Sequence, residues 1–139
     1  MNDILKKMNL YTDDTEYVII KFPPMGITVA AGIIAEIGDP FSALVVDKDE
    51  VTLIIPHDVV DDFAKRLRDI EKSPENYRLI TLDIVLDFSV IGFMARISNA
   101  LAQANISILP LAAFSRDHIL VKGSDFDKAW GVLSALKSS

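Results

Sequence analysis

Apolar and polar positions along the chain spell out one order of elements, strand, helix, strand, strand, helix, and spell it twice. Glu16 to Phe22 is a β-branched and aromatic run that predicts a strand, closed by Pro23-Pro24 because prolines supply no ladder donors. Ile27 to Ile37 carries apolar residues on a broad helical face. Gly38 is suited to the left-handed position that ends a helix, and Pro40 would block its continuation. Phe41 to Val46 and Val51 to Ile55 flank the charged turn Asp47-Lys48-Asp49-Glu50 and predict an antiparallel hairpin. Asp58 is then placed to cap a second helix with Val59, Phe63, Leu67 and Ile70 on one stripe. Ser73 to Asn76 reads as a connector.

The second round begins at Leu79 to Leu86, where Ile80, Leu82, Ile84 and Leu86 share one face of an expected strand. Phe93, Ile97, Ala100, Leu101 and Ala104 form the stripe of a helix that Asn105 can end in the left-handed conformation. Ile106 to Phe114 and Ile119 to Val121 flank Ser115-Arg116-Asp117-His118, read as a second hairpin turn. Ser124 with Asp127 has the spacing of a capping box for a last helix that turns Phe126, Ala129, Trp130, Leu133 and Leu136 inward. Sliding the first hairpin and helix onto the second without gaps sets Glu50 on Asp117, Leu53 on Leu120, Asp58 on Asp125 and Phe63 on Trp130. Turn acid, strand core, helix cap and helix core coincide, as internal repeats require. The expected organisation is a leader over residues 1–15, one βαββα repeat over 16–76 and another over 77–139. The expected class is α+β, with helices packed on mainly antiparallel sheets in the ferredoxin-like manner.

Composition narrows the function. The 139 residues are 50% hydrophobic, enough for a sizeable core, and contain no cysteine, which removes disulfides, thiolate metal sites and thiol nucleophiles. The absence agrees with a reducing, cytoplasmic setting. No apolar run reaches the roughly 18 residues that span a bilayer, so no membrane partner is expected. The net charge is −6, with 15 acids against 8 bases in residues 1–76, so a nucleic-acid partner is also not expected. There is no phosphate-binding loop, dinucleotide fingerprint or nucleophile elbow, and catalysis and cofactors are not expected. His118 beside Asp117 invites a metal reading, but the only other histidine, His57, follows a different strand end, and no metal is expected.

The stretch Asp87-Phe88-Ser89-Val90-Ile91-Gly92-Phe93-Met94-Ala95, followed by Leu101 to Ile108, resembles the ACT domain: strand, glycine-bearing loop, helix, strand. Ala113-Phe114-Ser115-Arg116-Asp117-His118-Ile119-Leu120-Val121 resembles the hairpin of the ACT subfamily that includes CASTOR-type arginine sensors and lies near aspartokinase regulatory regions. Asp49 to Ile54 is similar to that subfamily's strand in the first repeat. Arg116 and His118 stand where subfamily members often carry Thr and Tyr. The resemblance spans Phe41 to Leu136. It implies a tandem ACT protein with a regulatory role, binding a free amino acid where two ACT units meet. It places ligand contacts on Asp87, Ser89, Ile91, Gly92, Phe93, Phe114, Asp117 and His118.

Each of these residues has a plainer reading. Gly92 admits close ligand approach or merely a tight turn. Asp117 suits a ligand cation or a solvated hairpin, and Asp87 and Ser89 bind ligand or cap the helix. Phe114 walls a pocket or belongs to the core. Two repeats that each lack a closing strand leave open sheet edges, so a homodimer is expected. The other functional class consistent with the sequence is an ACT-like module that only dimerises or docks a protein, with no ligand.

Overall fold

The computed structural model describes residues 1–38 and 41–138, and the chain divides into two compact units. One comprises Thr15–Asn76; the other combines Met1–Asp14 with the chain from Tyr77 onward. They are called here the first and second unit.

In the first unit, β2 (Glu16–Phe22) runs into a 3₁₀ turn at Pro24–Gly26 and then α2 (Ile27–Ile37), which Gly38 ends at φ 62°. Pro40 lies outside the described residues. The hairpin β3 (Ala43–Val46) and β4 (Val51–Pro56) follows, its turn held by Asp47 Oδ1, which accepts hydrogen bonds from the amides of Asp49 and Glu50 at 2.8 and 2.9 Å. The expected second helix is not an α-helix. His57–Phe63 is a 3₁₀ run without a side-chain cap, and Asp69 sits at φ 58°. Paired β-branched residues, Val59-Val60, and paired acids, Asp61-Asp62, are weak helix formers, so packing decides the geometry. That packing keeps the predicted stripe, since Val59, Phe63, Leu67 and Ile70 all lie against the core of Val18, Ile20, Ala30, Ile33 and Leu53. The connector yields a strand the sequence reading lacked: β5 (Glu71–Lys72) pairs antiparallel with β2, and Ser73 Oγ accepts the Ile19 amide at 3.1 Å. The strand order is β3-β4-β2-β5.

The second unit repeats this plan with β6 (Tyr77–Asp83), α3 (Phe93–Gln103), β7 (Ile108–Ala112), β8 (Asp117–Lys122) and α4 (Phe126–Ser138). Asn105 adopts φ 62° just past α3. Instead of the expected capping box, a 3₁₀ turn at Gly123–Asp125 leads into α4. Strand β6 stops at Asp83, three residues short of the predicted end, though Ile84 and Leu86 still pack against the core. The presumed leader is integral to this unit. Its α1 (Asn2–Lys7) buries Leu5, Met8 just after it is fully buried, and β1 (Asn9–Tyr11) pairs antiparallel with β6, Leu10 opposite Leu82. Thr12 Oγ1 donates to the Leu79 carbonyl at 2.6 Å and Arg78 Nη2 to the Asp13 carbonyl at 2.7 Å, fastening the segment to β6.

The order β1-β6-β8-β7 is therefore the same four-strand arrangement as in the first unit, with the fourth strand supplied from the beginning of the chain. Each unit has the ferredoxin-like plan, helices covering one face of an antiparallel sheet. The closing strand expected to be missing is present in both.

Candidate functional site

Between strand and first helix, the second unit spends nine residues, 84–92, where the first spends four, 23–26. The short connection is pinned: a Cβ on Gly26 would lie 2.7 Å from Phe22 Cβ. The long one rises beside the β7–β8 turn and makes a cleft of about 360 Å³, within the lower part of the range of ligand clefts, about 300–1,000 Å³.

Three local structures shape the cleft. Asp87 starts a turn in which its Oδ1 accepts both the Ser89 amide, at 2.8 Å, and the Ser89 hydroxyl, at 2.6 Å, while its carbonyl accepts the Val90 amide at 3.1 Å. These bonds, the hydroxyl first and the amide second, hold the Asp87 carboxyl below its ordinary value and so ionised. Gly92 then takes φ 89°, which disfavours any residue with a Cβ, and starts α3, where the Arg96 amide bonds its carbonyl at 3.1 Å. The opposite wall is the turn Ala113–Arg116, closed by the Ala113 amide on the Arg116 carbonyl at 3.0 Å. Loop and turn are joined by the Leu86 amide on the Ser115 carbonyl at 2.9 Å. At the mouth, the Phe88 and Phe114 rings meet edge to face, centroids 5.0 Å apart, though both remain mostly exposed.

Of the eight expected contact residues, Asp87, Gly92, Phe93, Phe114 and Asp117 line this cleft. Ser89 does not; its hydroxyl is spent on Asp87. Ile91 is 88% exposed and also lies outside the lining. Asp117 and His118 belong to β8 rather than to the turn, and the alternation of a strand sends them to opposite faces. Asp117 shares the face of Ile119 and Val121, toward the helices. His118 turns the other way, its Nδ1 2.8 Å from Thr81 Oγ1, and burial first, then the Arg116 cation, pushes its pKa below 6.5.

Among the lining residues not expected as contacts, two bear on the chemistry of the cleft. Phe88 sits inside the quoted motif, and only its pairing with Phe114 across the fold gives it a role. Arg116 also lines the cleft, with Nε 3.1 Å from Asp83 Oδ1 in an ion pair that is not aligned as a hydrogen bond. Its charge is thereby offset, whereas the Asp117 carboxylate makes no hydrogen bond or ion pair among the described residues. The cleft thus brings a carboxylate with no partner among the described residues and an aromatic wall together with the first turn of α3, whose amides have no intrahelical partners. Among the described residues no cluster of three or more His, Asp or Glu side chains is arranged to hold a metal, and no helix is long and apolar enough to cross a membrane.

Fold and cleft together define the class, a ferredoxin-like module with a cleft at the start of a helix. The sequence model of the ACT domain family matches residues 72–135, so the chain carries an ACT domain over that stretch. No curated protein matches it. Among solved structures it is similar to aspartokinase alpha and beta subunits, with a TM-score of 0.75 at 14% identity over 94% of this chain and 98% of that one. It is also similar to a putative C-terminal regulatory domain of aspartate kinase from Porphyromonas gingivalis, with a TM-score of 0.69 at 22% identity over 95% and 98% of the two chains. The protein Atu0741 from Agrobacterium tumefaciens matches with a TM-score of 0.72 at 19% identity over 94% of this chain and 89% of its own.

Proposed function

We propose that this chain is a non-catalytic cytoplasmic regulatory module, two ACT-like units in tandem, and that the cleft of its second unit binds a free amino acid. The observation that carries this reading is the meeting of opposite recognition groups in one small cleft. The unpaired Asp117 carboxylate suits an α-ammonium, and the free amides opening α3 at Gly92 suit an α-carboxylate. An amino acid presents both groups on adjacent atoms. The aromatic pair Phe88 and Phe114 would then flank the side chain.

The test is a thermal-shift screen of the twenty free amino acids. A ligand that binds only the native state at 100 times its Kd adds about 2.7 kcal/mol, which moves the midpoint of a chain this size by several degrees. At least one amino acid at millimolar concentration is expected to do so.

A second reading, a module that only dimerises or docks a protein, is favoured by one observation. Phe88 and Phe114, paired at the mouth of the cleft, are 77% and 80% exposed, as are Val85 and Ile91 on the same loop at 66% and 88%, and large exposed apolar surfaces mark partner contacts. In the amino-acid reading the same rim is covered by a second copy of the chain, which makes the working form a homodimer. Melting curves unmoved by all twenty amino acids would favour the ligand-free alternative.

A further inference from the structure

Helix α1 has little reason of its own to be helical. It is six residues long and has no side-chain N-cap, and a free peptide of that length does not hold a helix in water. Burial holds it: Leu5 and Met8 are almost wholly enclosed, and Ile4 packs against the same core. That core includes Phe93, with Leu86, Val90 and Met94 packed on it, and these four residues line the cleft.

The first residues of the segment also reach the junction of loop and helix. A Cβ on Gly92 would have the Met1 Cε as its near neighbour, at 3.8 Å. Asn2 Oδ1 accepts a long hydrogen bond, 3.5 Å, from Arg96 Nη1, and the Arg96 backbone amide bonds the Gly92 carbonyl. The loop itself has only isolated backbone bonds, Ile84 to Leu82, Leu86 to Ser115 and Val90 to Asp87, and no ladder. Its shape depends on what its apolar side chains rest upon.

We infer that Met1–Met8 is a positioning element of the cleft: docked, it fixes the loop 84–92 and the start of α3, and so sets the affinity for ligand. The claim about loop shape stands on the packing alone. The claim about affinity rests on the amino-acid reading.

The experiment is native-state hydrogen exchange on the full chain without ligand, reading the Leu86, Val90 and Arg96 amides against those of the β7–β8 ladder. Leu5→Ala and the milder Ile4→Ala disturb the docking. Ile106→Ala removes volume from the same core at the other end of α3, a helix of 11 residues and so about 16 Å long at 1.5 Å per residue. Leu5→Ala is expected to speed exchange at the three amides about tenfold or more relative to the ladder, Ile4→Ala severalfold, and Ile106→Ala no more than at the ladder. If Leu5→Ala does not fold, Ile4→Ala decides.

Calorimetric titration of the same variants with the amino acid that most raises the wild-type midpoint is expected to show weaker Kd for Leu5→Ala and Ile4→Ala and an unchanged Kd for Ile106→Ala. Unchanged exchange at the three amides, acceleration spread evenly over the unit, or faster exchange with unaltered Kd would each overturn the inference. Selective acceleration in a protein that binds no amino acid would support the positioning of the loop and sink the amino-acid reading instead.

Discussion

Asp117 and His118 are neighbours in sequence with opposite situations, and the difference is the pleat of one strand. Asp117 lines the cleft with no hydrogen bond or ion pair among the described residues, and His118 packs beside Thr81, which is 6% exposed. The residue types were apparent from the sequence, but their separation was not, because reading Ser115 to His118 as a turn hides the alternation that β8 imposes on its first two residues.

The same strand gives His118 a consequence for stability. Its folded pKa lies below 6.5, so the unfolded chain takes up the proton first as the solution is acidified. The stability from keeping His118 neutral is complete above about pH 6.5 and is lost as pH falls through that value toward the folded pKa. The His118→Gln variant is therefore expected to lose less melting temperature than the wild type between about pH 7 and pH 5. Parallel pH profiles for the two proteins would show that His118 makes no such contribution.

At the scale of elements, long periodic segments were readable and short or borrowed ones were not. Strand β2 and helix α2 fall on the residues where the pattern puts them, since a proline pair and a left-handed glycine mark their ends. The 3₁₀ run at His57–Phe63 keeps its apolar stripe, because the stripe answers to the core, yet loses the α-helical form, because its residues favour it weakly. Strand β1 has three residues and its partner lies some seventy positions away, so no local pattern could reveal it. The cleft was half readable. The motif around Gly92 and the acid at 117 pointed to it, whereas Phe88 and Arg116 acquire roles only when the loop and the turn stand side by side.

The loop–helix junction allows a direct test of that geometry. A methyl group at position 92 meets nothing closer than 3.8 Å, so any penalty in Gly92→Ala comes from the φ of 89° and not from a clash. A left-handed conformation costs a residue with a Cβ about 1–2 kcal/mol. Chemical denaturation is expected to show a loss of that size, with weaker ligand binding as the first turn of α3 relaxes. A variant as stable as the wild type would mean the junction adopts another conformation in solution.

For the molecule as a whole, the two units follow one plan and differ in what joins the first strand to the first helix. Four pinned residues leave no room for a wall in the first unit, and nine residues build one in the second. The gapless match of the two hairpins conveyed the shared plan, and the unequal loops, outside that match, carry the cleft. The exposed rim of Phe88, Ile91 and Phe114 predicts self-association. Light scattering at micromolar concentration is expected to give twice the 15.4 kDa chain mass, falling toward one chain when Phe88 and Ile91 are both replaced by Ser. A monomer at all concentrations would contradict it.

The central claim is that an amino acid is held in the second unit through Asp117. Glu50 is the internal control, because it occupies the matching place in the repeat, just before the first unit's β4, in a turn where Asp47 Oδ1 accepts its amide. Calorimetric titration with the best amino acid from the thermal screen, on the wild type, Asp117→Asn and Glu50→Gln, measures the claim directly. Removing one charge-assisted contact costs about 1.5–3 kcal/mol, so Asp117→Asn is expected to weaken binding about 10- to 150-fold while Glu50→Gln binds as the wild type does. Equal affinity in the wild type and Asp117→Asn, or a larger loss in Glu50→Gln, would contradict the account.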